Sequence, residues 1–244
     1  MLKNKNRVGI LGYGEVGQAI AKFYRNLKIK DLKRNDGLEG VDILHICIPW
    51  GNNFIKIAKA EIKRIKPELT IIHSTVPLRT TEKLSFSVKK LSFVVHSPIR
   101  GVHPNLFKGI KTFVKYIGAD NKKAGKMAQR HFKALGIKTK VFYPSAVTEA
   151  IKLWDTTQYG WMILLNKEIK KWCDKKGLNF DAIYADANKS YNKGYSKLGR
   201  AEVLRPFLRY MPGPIGGHCI IPNCKILDSD IAKIILDKNK KYGF

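Results

Sequence analysis

Short apolar runs alternate with amphipathic stretches over the first 142 residues of this 244-residue chain. Seven runs predict strands, at residues 7–12, 27–32, 41–48, 69–74, 91–96, 112–118 and 138–143. Four stretches between them have the apolar spacing of helices, at residues 15–26, 52–66, 80–90 and 122–136. Because strands that alternate with helices form βαβ units, this region predicts an α/β fold with a Rossmann-type parallel sheet.

After Pro144 the pattern predicts helices only. Residues 145–177 are expected to form one long helix that begins at Ser145, carries Glu149 in its first turns and ends at Gly177. Apolar residues cover more than one side of this helix: Ile151, Trp154, Trp161, Leu164 or Leu165, Ile169 and Trp172. A helix that is apolar on two sides packs against two neighbours, so we expect it to join the domains and to form a homodimer.

Shorter helices are predicted at residues 181–191, 200–211 and 228–241, the last capped by Asp228 or Ser229. Residues 212–227, "PGPIGGHCIIPNCKIL", are expected to form a loop that presents Cys219. The predicted organisation is a dinucleotide-binding domain at residues 1–144 and a helical dimerisation and substrate region at residues 145–244.

A glycine loop follows the first strand. Gly12, Gly14 and Gly17 have G-x-G-x-x-G spacing between that strand and a helix. The first glycine permits a tight turn, the second lets a pyrophosphate approach the backbone, and the third permits close packing of helix on strand. The spacing therefore predicts a dinucleotide site that includes the residues of the loop: Gly12, Tyr13, Gly14, Glu15, Val16 and Gly17.

Other predicted cofactor contacts follow later strands, because ligands of open α/β sheets bind at the carboxyl ends of strands. Asp31 ends the second strand and is the candidate for the ribose hydroxyls, which favours NAD. Lys33 and Arg34 come next and could instead meet the 2′-phosphate of NADP, and a SAM site remains an alternative. The remaining candidates end the third and fourth strands: Pro49, Ser74 and Thr75.

The charge of the chain is strongly positive, with 46 Lys and Arg against 19 Asp and Glu. A net charge of +27 attracts anions, and we expect a small anionic substrate. The lysines are spread over every segment instead of forming one basic block, so nucleic acid is not expected as the main partner. Four cysteines without paired spacing, no signal peptide and no transmembrane run predict a reduced, cytoplasmic protein without a membrane partner.

Three stretches after the glycine loop carry a family resemblance: "HSTVPLRTTEKL", the long helix with "TEAIKL", and "PGPIGGHCIIPN". In this order they resemble the UDP-glucose, UDP-N-acetylmannosamine and GDP-mannose dehydrogenases. The resemblance implies oxidation of a sugar alcohol or aldehyde by NAD(P), with Cys219 as the nucleophile and Lys152 as the partner of developing oxyanions. Thr75 would lie near the nicotinamide.

The sequence departs from this family at several positions. Ile99 stands where the family has a glutamate, Thr156 where it has an asparagine, and Asn223 where it has an aspartate four residues after the cysteine. The family also continues into a domain that binds the sugar nucleotide, whereas this sequence runs about 20 residues beyond the cysteine loop. His96, Arg100 and His103 are candidates for replacement polar groups at the same edge of the sheet.

The sequence allows three alternatives to the dehydrogenase, of which the first is the least expected. A metal site from His218, Cys219 and Cys224 is not expected, because zinc sites use tighter cysteine pairs. The second alternative is a Rossmann-fold methyltransferase that uses SAM, and the third is a dinucleotide-binding protein without catalysis.

Overall fold

The computed structural model describes residues 7–101 and 104–243, and the chain divides into two compact units. The first unit is Met1–Lys152 and the second is Leu153–Phe244. His103, one of the candidate polar residues, lies outside the described residues. No described helix combines the length and the low polarity that crossing a bilayer requires.

The first unit is built on a mostly parallel eight-stranded sheet. Its strands are β1 Val8–Leu11, β2 Leu27–Asp31, β3 Arg34–Asn35, β4 Ile43–Ile46, β5 Leu69–Ile72, β6 Phe93–His96, β7 Lys115–Ala119 and β8 Thr139–Phe142. They lie in the order β3-β2-β1-β4-β5-β6-β7-β8. The predicted fold class is confirmed, and all seven predicted strands form.

Helices cover both faces of this sheet. They are α1 Glu15–Ala21, α2 Phe54–Ile65, α3 Thr80–Ser87, α4 Leu106–Thr112 and α5 Lys122–Ala134. Neighbouring residues of a strand point to opposite faces, so Ile71 belongs to the core cluster that includes α1, α4 and α5, while Ile72 belongs to the cluster that includes α2 and α3. Strands buried on both faces explain the continuous apolar runs in the sequence.

Two pairings in this mostly parallel sheet are antiparallel. The two-residue strand β3 pairs antiparallel with β2, and β7 pairs antiparallel with β6. The helix α4 between β6 and β7 was also missed, because Gly109 lies within it and lowers its helix propensity. The glycine is needed there because a Cβ would lie 2.8 Å from the Arg100 carbonyl oxygen.

The second unit is helical. The long predicted helix forms as α6, Ala146–Lys176, which begins in the first unit and continues through the second. After it come a π-helical turn Asp181–Asp186, α7 Ala187–Lys197, a 3₁₀ turn Ala201–Val203, α8 Ile220–Ile226 and α9 Asp230–Lys240. The Ser229 side chain caps α9 by accepting from the Ala232 N–H at 3.2 Å, as predicted.

Two predictions for the second unit are wrong. Residues 200–211 do not form a helix beyond the short turn at Ala201–Val203, because Pro206 lacks an N–H and disfavours helical geometry before it. The predicted loop at 212–227 contains a helix, α8, directly after Cys219. Pro222 falls in the first turn of α8, where a missing N–H is tolerated.

Candidate active site

The glycine loop after β1 has the geometry of a dinucleotide-binding turn. Gly12 has φ +94°, and a Cβ there would lie 2.7 Å from the Ile48 nitrogen. A Cβ on Gly17 would lie 2.1 Å from the Gly12 carbonyl oxygen, so the close approach of α1 to the loop requires glycine. A Cβ on Gly14 would meet no atom within 4 Å, so nothing in the fold itself requires glycine at that position. The residues present therefore fit a pyrophosphate that approaches the backbone at Gly14.

Asp31 lies beside this loop at the end of β2. Its carboxylate accepts from the Tyr13 N–H at 2.6 Å and from the Leu32 N–H at 2.8 Å. Arg34 lies over the Tyr13 ring, 5.9 Å from its centroid, and is paired with Asp36 at 2.8 Å. The pair lowers the pKa of the Asp36 carboxyl, mainly through the hydrogen bond from Arg34.

The next parallel strands bring further predicted residues to the same edge. Pro49 follows β4 and is exposed, while Ser74 and Thr75 follow β5. The Ser74 hydroxyl donates to the Ile48 carbonyl at 2.5 Å, which ties the ends of β4 and β5 together. Ser74 is buried and Thr75 is partly exposed, so the Thr75 side chain is the more accessible of the two to a ligand.

His96 ends β6 and is buried between Ser74 and the start of α6. Its Nε2 lies 3.2 Å from the Ser74 carbonyl and its Nδ1 lies 2.8 Å from the Thr148 hydroxyl. Burial lowers the pKa of His96 to about 3. The ring is therefore neutral near pH 7 and links β5 to α6. Arg100, nearby in sequence, stacks on the rings of Phe113 and Tyr116.

The first turns of α6 supply Glu149 and Lys152. Lys152 Nζ donates to the Ile99 carbonyl at 2.9 Å, just beyond the end of β6. Glu149 is buried and accepts from the Arg79 N–H at 2.5 Å, from the Thr81 N–H at 2.8 Å and from the Thr81 hydroxyl at 2.6 Å. It thereby satisfies the free N–H groups at the start of α3, just after the Ser74–Thr75 segment.

Cys219 lies in the second unit, directly before α8, and is partly exposed. Helix α8 packs closely on α6 at Gly160, where a Cβ would lie 2.6 Å from the Ile220 side chain. The glycine at position 160 therefore permits the close approach of α8, the helix that follows Cys219. The other thiol of this segment, Cys224, is buried, and burial raises its pKa.

Two of the positions that depart from the family lie side by side. The Asn223 side-chain amide donates to the Thr156 hydroxyl at 3.1 Å, and that hydroxyl donates to the Leu153 carbonyl at 3.0 Å. Asn223 is 5% exposed. A neutral amide and a hydroxyl have thus replaced the expected amide and carboxylate.

The predicted site residues fall into two groups. The first unit brings the glycine loop, Asp31, Pro49, Ser74, Thr75 and Lys152 to the carboxyl ends of its parallel strands. Cys219 and Asn223 belong to the second unit. Among the described residues, no group of three or more His, Cys, Asp or Glu side chains is arranged to hold a metal.

Sequence reasoning missed two residues that hold these groups in place. Glu149 was identified only as a helix-start residue, although its place in "TEAIKL" could have indicated more. Lys167 is 2% exposed and donates to the Met211 carbonyl at 2.5 Å and the Gly213 carbonyl at 2.6 Å, which fastens the chain before Cys219 to α6. No sequence signal marks it, because lysine is common throughout the chain.

The sheet order, together with the glycine loop and the acid that ends β2, defines a Rossmann-type fold. Solved structures share this fold: a UDP-D-ManNAc dehydrogenase from Pyrococcus horikoshii superposes with a TM-score of 0.79 at 19% identity, covering 97% of this chain and 68% of that one. A UDP-glucose dehydrogenase from Pyrobaculum islandicum gives 0.76 at 15% identity, covering 99% and 70%.

Sequence comparison finds relatives with a higher percentage identity than these solved structures have. The UDP-N-acetyl-D-mannosamine dehydrogenase of Methanococcus maripaludis is 30% identical over 193 residues, which are 78% of this chain and 40% of the relative. The resemblance to the nucleotide-sugar dehydrogenases that the motifs predicted is therefore confirmed. The chain spans less than half the length of the curated relatives it matches. No family model matches the chain.

Proposed function

We propose that the protein is an NAD-dependent dehydrogenase that oxidises an alcohol or aldehyde of an anionic sugar substrate. A UDP-sugar such as UDP-N-acetyl-D-mannosamine, which the names of the relatives indicate, is the first substrate to test. The observation that carries the proposal is the glycine loop beside Asp31, with Thr75 and Lys152 at the same sheet edge. In this proposal the first unit binds the dinucleotide, and the second supplies the substrate region.

The glycine loop and the start of α1 would hold the dinucleotide pyrophosphate. Gly14 leaves the backbone open, and Glu15 and Val16 begin the helix whose N-terminus faces the anion. Asp31 and Tyr13 would contact the adenosine ribose, and Pro49, Ser74 and Thr75 would lie along the nicotinamide half. A bound nicotinamide dinucleotide supplies the hydride acceptor.

NAD is the proposed cofactor in preference to NADP. Asp31 presents a carboxylate where a 2′-phosphate would lie, and like charges repel. Arg34, the cation that could compensate, is engaged by the Asp36 carboxylate through both Nε and Nη2. Lys33, two residues after Asp31 in the sequence, is an exposed cation.

The proposed chemistry divides the oxidation of a primary alcohol into steps. With a nicotinamide bound as hydride acceptor, the alcohol would lose a hydride and, to solvent, a proton, which would give an aldehyde. The Cys219 thiolate adds to the aldehyde carbon, and Lys152 stabilises the oxyanion that forms. Loss of a second hydride from this adduct, with a second oxidised nicotinamide as acceptor, would give a thioester on Cys219. Water then cleaves the carbon–sulfur bond, releasing the acid and the thiolate.

A homodimer through α6 is part of the proposal. Trp154, Trp161, Leu165 and Trp172 recur at intervals of seven and four residues, and each is more than a third exposed. A second copy of the same stripe would cover this apolar face by self-complementary packing. Sedimentation of the wild type as a dimer and of Trp161→Glu as a monomer would support it, whereas a monomeric wild type would refute it.

We propose a cytoplasmic location. All four cysteines are free thiols, which is the state that a reducing compartment maintains. A thiol nucleophile also needs that state, because oxidised Cys219 could not attack an aldehyde.

Calorimetry of the purified protein with NAD⁺, NADP⁺ and SAM tests the cofactor. We expect NAD⁺ to bind at least about tenfold more tightly than NADP⁺, and SAM not to bind. Binding of SAM alone would favour a methyltransferase. Binding of none of the three would favour a protein without catalysis.

The substitution Gly14→Val tests the glycine loop directly, since the fold has room for the side chain and φ is −70°. The variant should unfold at the wild-type temperature and lose NAD⁺ binding, because the side chain occupies the place of the pyrophosphate. Wild-type affinity in Gly14→Val would disprove the assigned loop.

Turnover is then followed as reduced nicotinamide formed from UDP-N-acetyl-D-mannosamine, with Cys219→Ser as the inactive comparison.

A further inference from the structure

Lys115 is a buried lysine at the start of β7. It is 4% exposed, and its Nζ donates to the Ser97 carbonyl at 2.7 Å and to the Pro98 carbonyl at 2.8 Å. Within the described parts of the chain, no carboxylate lies close enough to pair with it. Burial lowers the pKa of Lys115 well below 10.5. A buried amine without a carboxylate is unfavourable for folding, which indicates another reason for its presence.

The segment that Lys115 binds is held from several other directions. The Ser97 N–H donates to the Ile72 carbonyl at 2.7 Å, and the Ser97 hydroxyl donates to the Tyr116 carbonyl at 2.7 Å. The Ser97 carbonyl also accepts from His73 Nδ1 at 2.6 Å, so both of its lone pairs are used. The main chain directly after β6 is thus fixed in one position.

A chain of hydrogen-bonded rings leads to the same carbonyl. Because the Ser97 carbonyl can only accept, His73 Nδ1 carries the proton, and His73 Nε2 accepts from His45 Nδ1 at 2.8 Å. His45 Nε2 then accepts from the Tyr24 hydroxyl at 2.9 Å, whose oxygen accepts from His131 Nε2 at 2.7 Å. Every hydrogen bond in this chain points toward Ser97.

Ile99 connects this buried assembly to the candidate site. The Ile99 carbonyl, two residues after Ser97, accepts from Lys152 Nζ at 2.9 Å. We infer that Lys115 is a positioning residue, whose amine fixes the main chain of residues 97–99 so that the Ile99 carbonyl holds the Lys152 ammonium at the sheet edge. The inference rests on the proposed function for the role of Lys152, but the contact itself is independent of catalysis.

The substitution Lys115→Met tests this. The methionine fills a similar volume, and an apolar side chain avoids the cost of burying an amine at this position. Tyr24→Phe is the matched control, since it removes a buried hydroxyl from the same network without touching the Ser97 or Pro98 carbonyls. Thermal unfolding of both variants establishes that they fold, and Lys115→Gln serves as a second variant.

The first readout is the rate of amine modification at Lys152, followed by peptide mass spectrometry. In Lys115→Met it should rise roughly threefold or more, the factor expected when one hydrogen bond is lost, and Tyr24→Phe should match the wild type. The second readout is turnover, where kcat should fall about tenfold to a hundredfold while KM for NAD⁺ stays within about twofold.

The modification rate decides the inference even without turnover. Faster modification of Lys152 in a wild-type protein that lacks dehydrogenase activity would support the positioning role and reject the proposed function. Unchanged modification in folded Lys115→Met and Lys115→Gln would overturn the positioning role, whatever the wild-type activity. An equal rise in Tyr24→Phe would also overturn it, because general loosening of the core would then explain the effect.

Discussion

At the scale of residues, the contact between Thr156 and Asn223 bears most directly on the chemistry. The two side chains replace an amide and a carboxylate of the resembled family, and they hydrogen-bond to each other at 3.1 Å. A neutral asparagine cannot take a proton from water near neutral pH. In the proposed reaction, the thioester on Cys219 therefore lacks the carboxylate that would help water attack, and its hydrolysis should be slow.

Asn223→Asp is predicted to speed this last step. A carboxylate at residue 223 could accept a proton from the attacking water, and general base catalysis contributes about a hundredfold or more where geometry is good. An increase of at least about tenfold in release of the acid is expected. Mass spectrometry of the Cys219 peptide during turnover would measure the lifetime of the covalent intermediate. Asn223→Ala is the control, and equal lifetimes in the two folded variants would contradict the prediction.

The site residues that could be predicted from the sequence were identified by their residue type and by their spacing along the chain. Gly12, Gly14 and Gly17 could be predicted because a side chain would interfere at each position for a different reason. The geometry of the loop agrees with those reasons. Contacts such as Lys115 with Ser97 could not be foreseen, because they join positions 18 residues apart through the packing of β6 against β7. Charge and composition carry no information about which lysine is buried.

At the scale of elements, α6 and α8 are fitted to each other. Gly160 lets α8 approach, while Thr157 contacts Cys224 through a hydroxyl–sulfur distance of 3.8 Å. The core of the second unit forms around this contact and includes Leu164, Ile220, Cys224, Ala232 and Ile235. The start of α8, and with it Cys219, therefore depends on one helix-interior glycine.

Gly160→Ala should destabilise the protein, although alanine normally favours a helix. The added methyl group would lie 2.6 Å from Ile220, and overpacking of this kind costs about 1–3 kcal/mol. Gly194→Ala is the matched control within α7, since open space surrounds Gly194 and a gain of about 0.5–1 kcal/mol is expected. Urea unfolding of the two variants measures the contrast. A stabilising Gly160→Ala would show that α8 is not packed as described.

Local sequence was a weaker guide to the elements of the second unit. The long helix was predictable because 31 residues lack an internal proline or a strong break. The segment at 200–211 was not, since its apolar spacing suits a helix while its actual partners are distant. Asn166 donates to the Leu208 carbonyl at 3.0 Å, and the Tyr184 hydroxyl accepts from the Leu208 N–H at 3.0 Å. Tertiary hydrogen bonds replaced the helical ones.

At the scale of the whole molecule, buried histidines should make folding sensitive to acid. Burial lowers the pKa of His96 to about 3 and that of His131 to about 4, because the charged ring is poorly solvated there. The pKa values of His45 and His73 are also lowered well below 6.5 by burial. Below pH 6.5 the unfolded chain therefore binds protons that the folded chain does not.

The free energy of unfolding is predicted to fall as the pH is lowered from about 6.5 toward about 4, by up to about 1.4 kcal/mol per histidine per pH unit. Glu149 opposes this fall, because burial raises the pKa of its carboxyl and the folded state then binds a proton more readily than the unfolded chain does. Urea unfolding across this range gives the slope. His131→Phe should reduce the slope by about one proton, and stability that does not change with pH would contradict the buried, neutral state of the rings.

The directed chain from His131 to Ser97 also makes the core observable without any label on the surface. Its ring N–H protons and the Tyr24 hydroxyl proton are shielded from water, so they should exchange with solvent only when the sheet opens. Their magnetic resonance signals would report opening of the interior beside the candidate site. These signals would therefore measure how often the main chain that holds Lys152, at residues 97–99, opens to solvent.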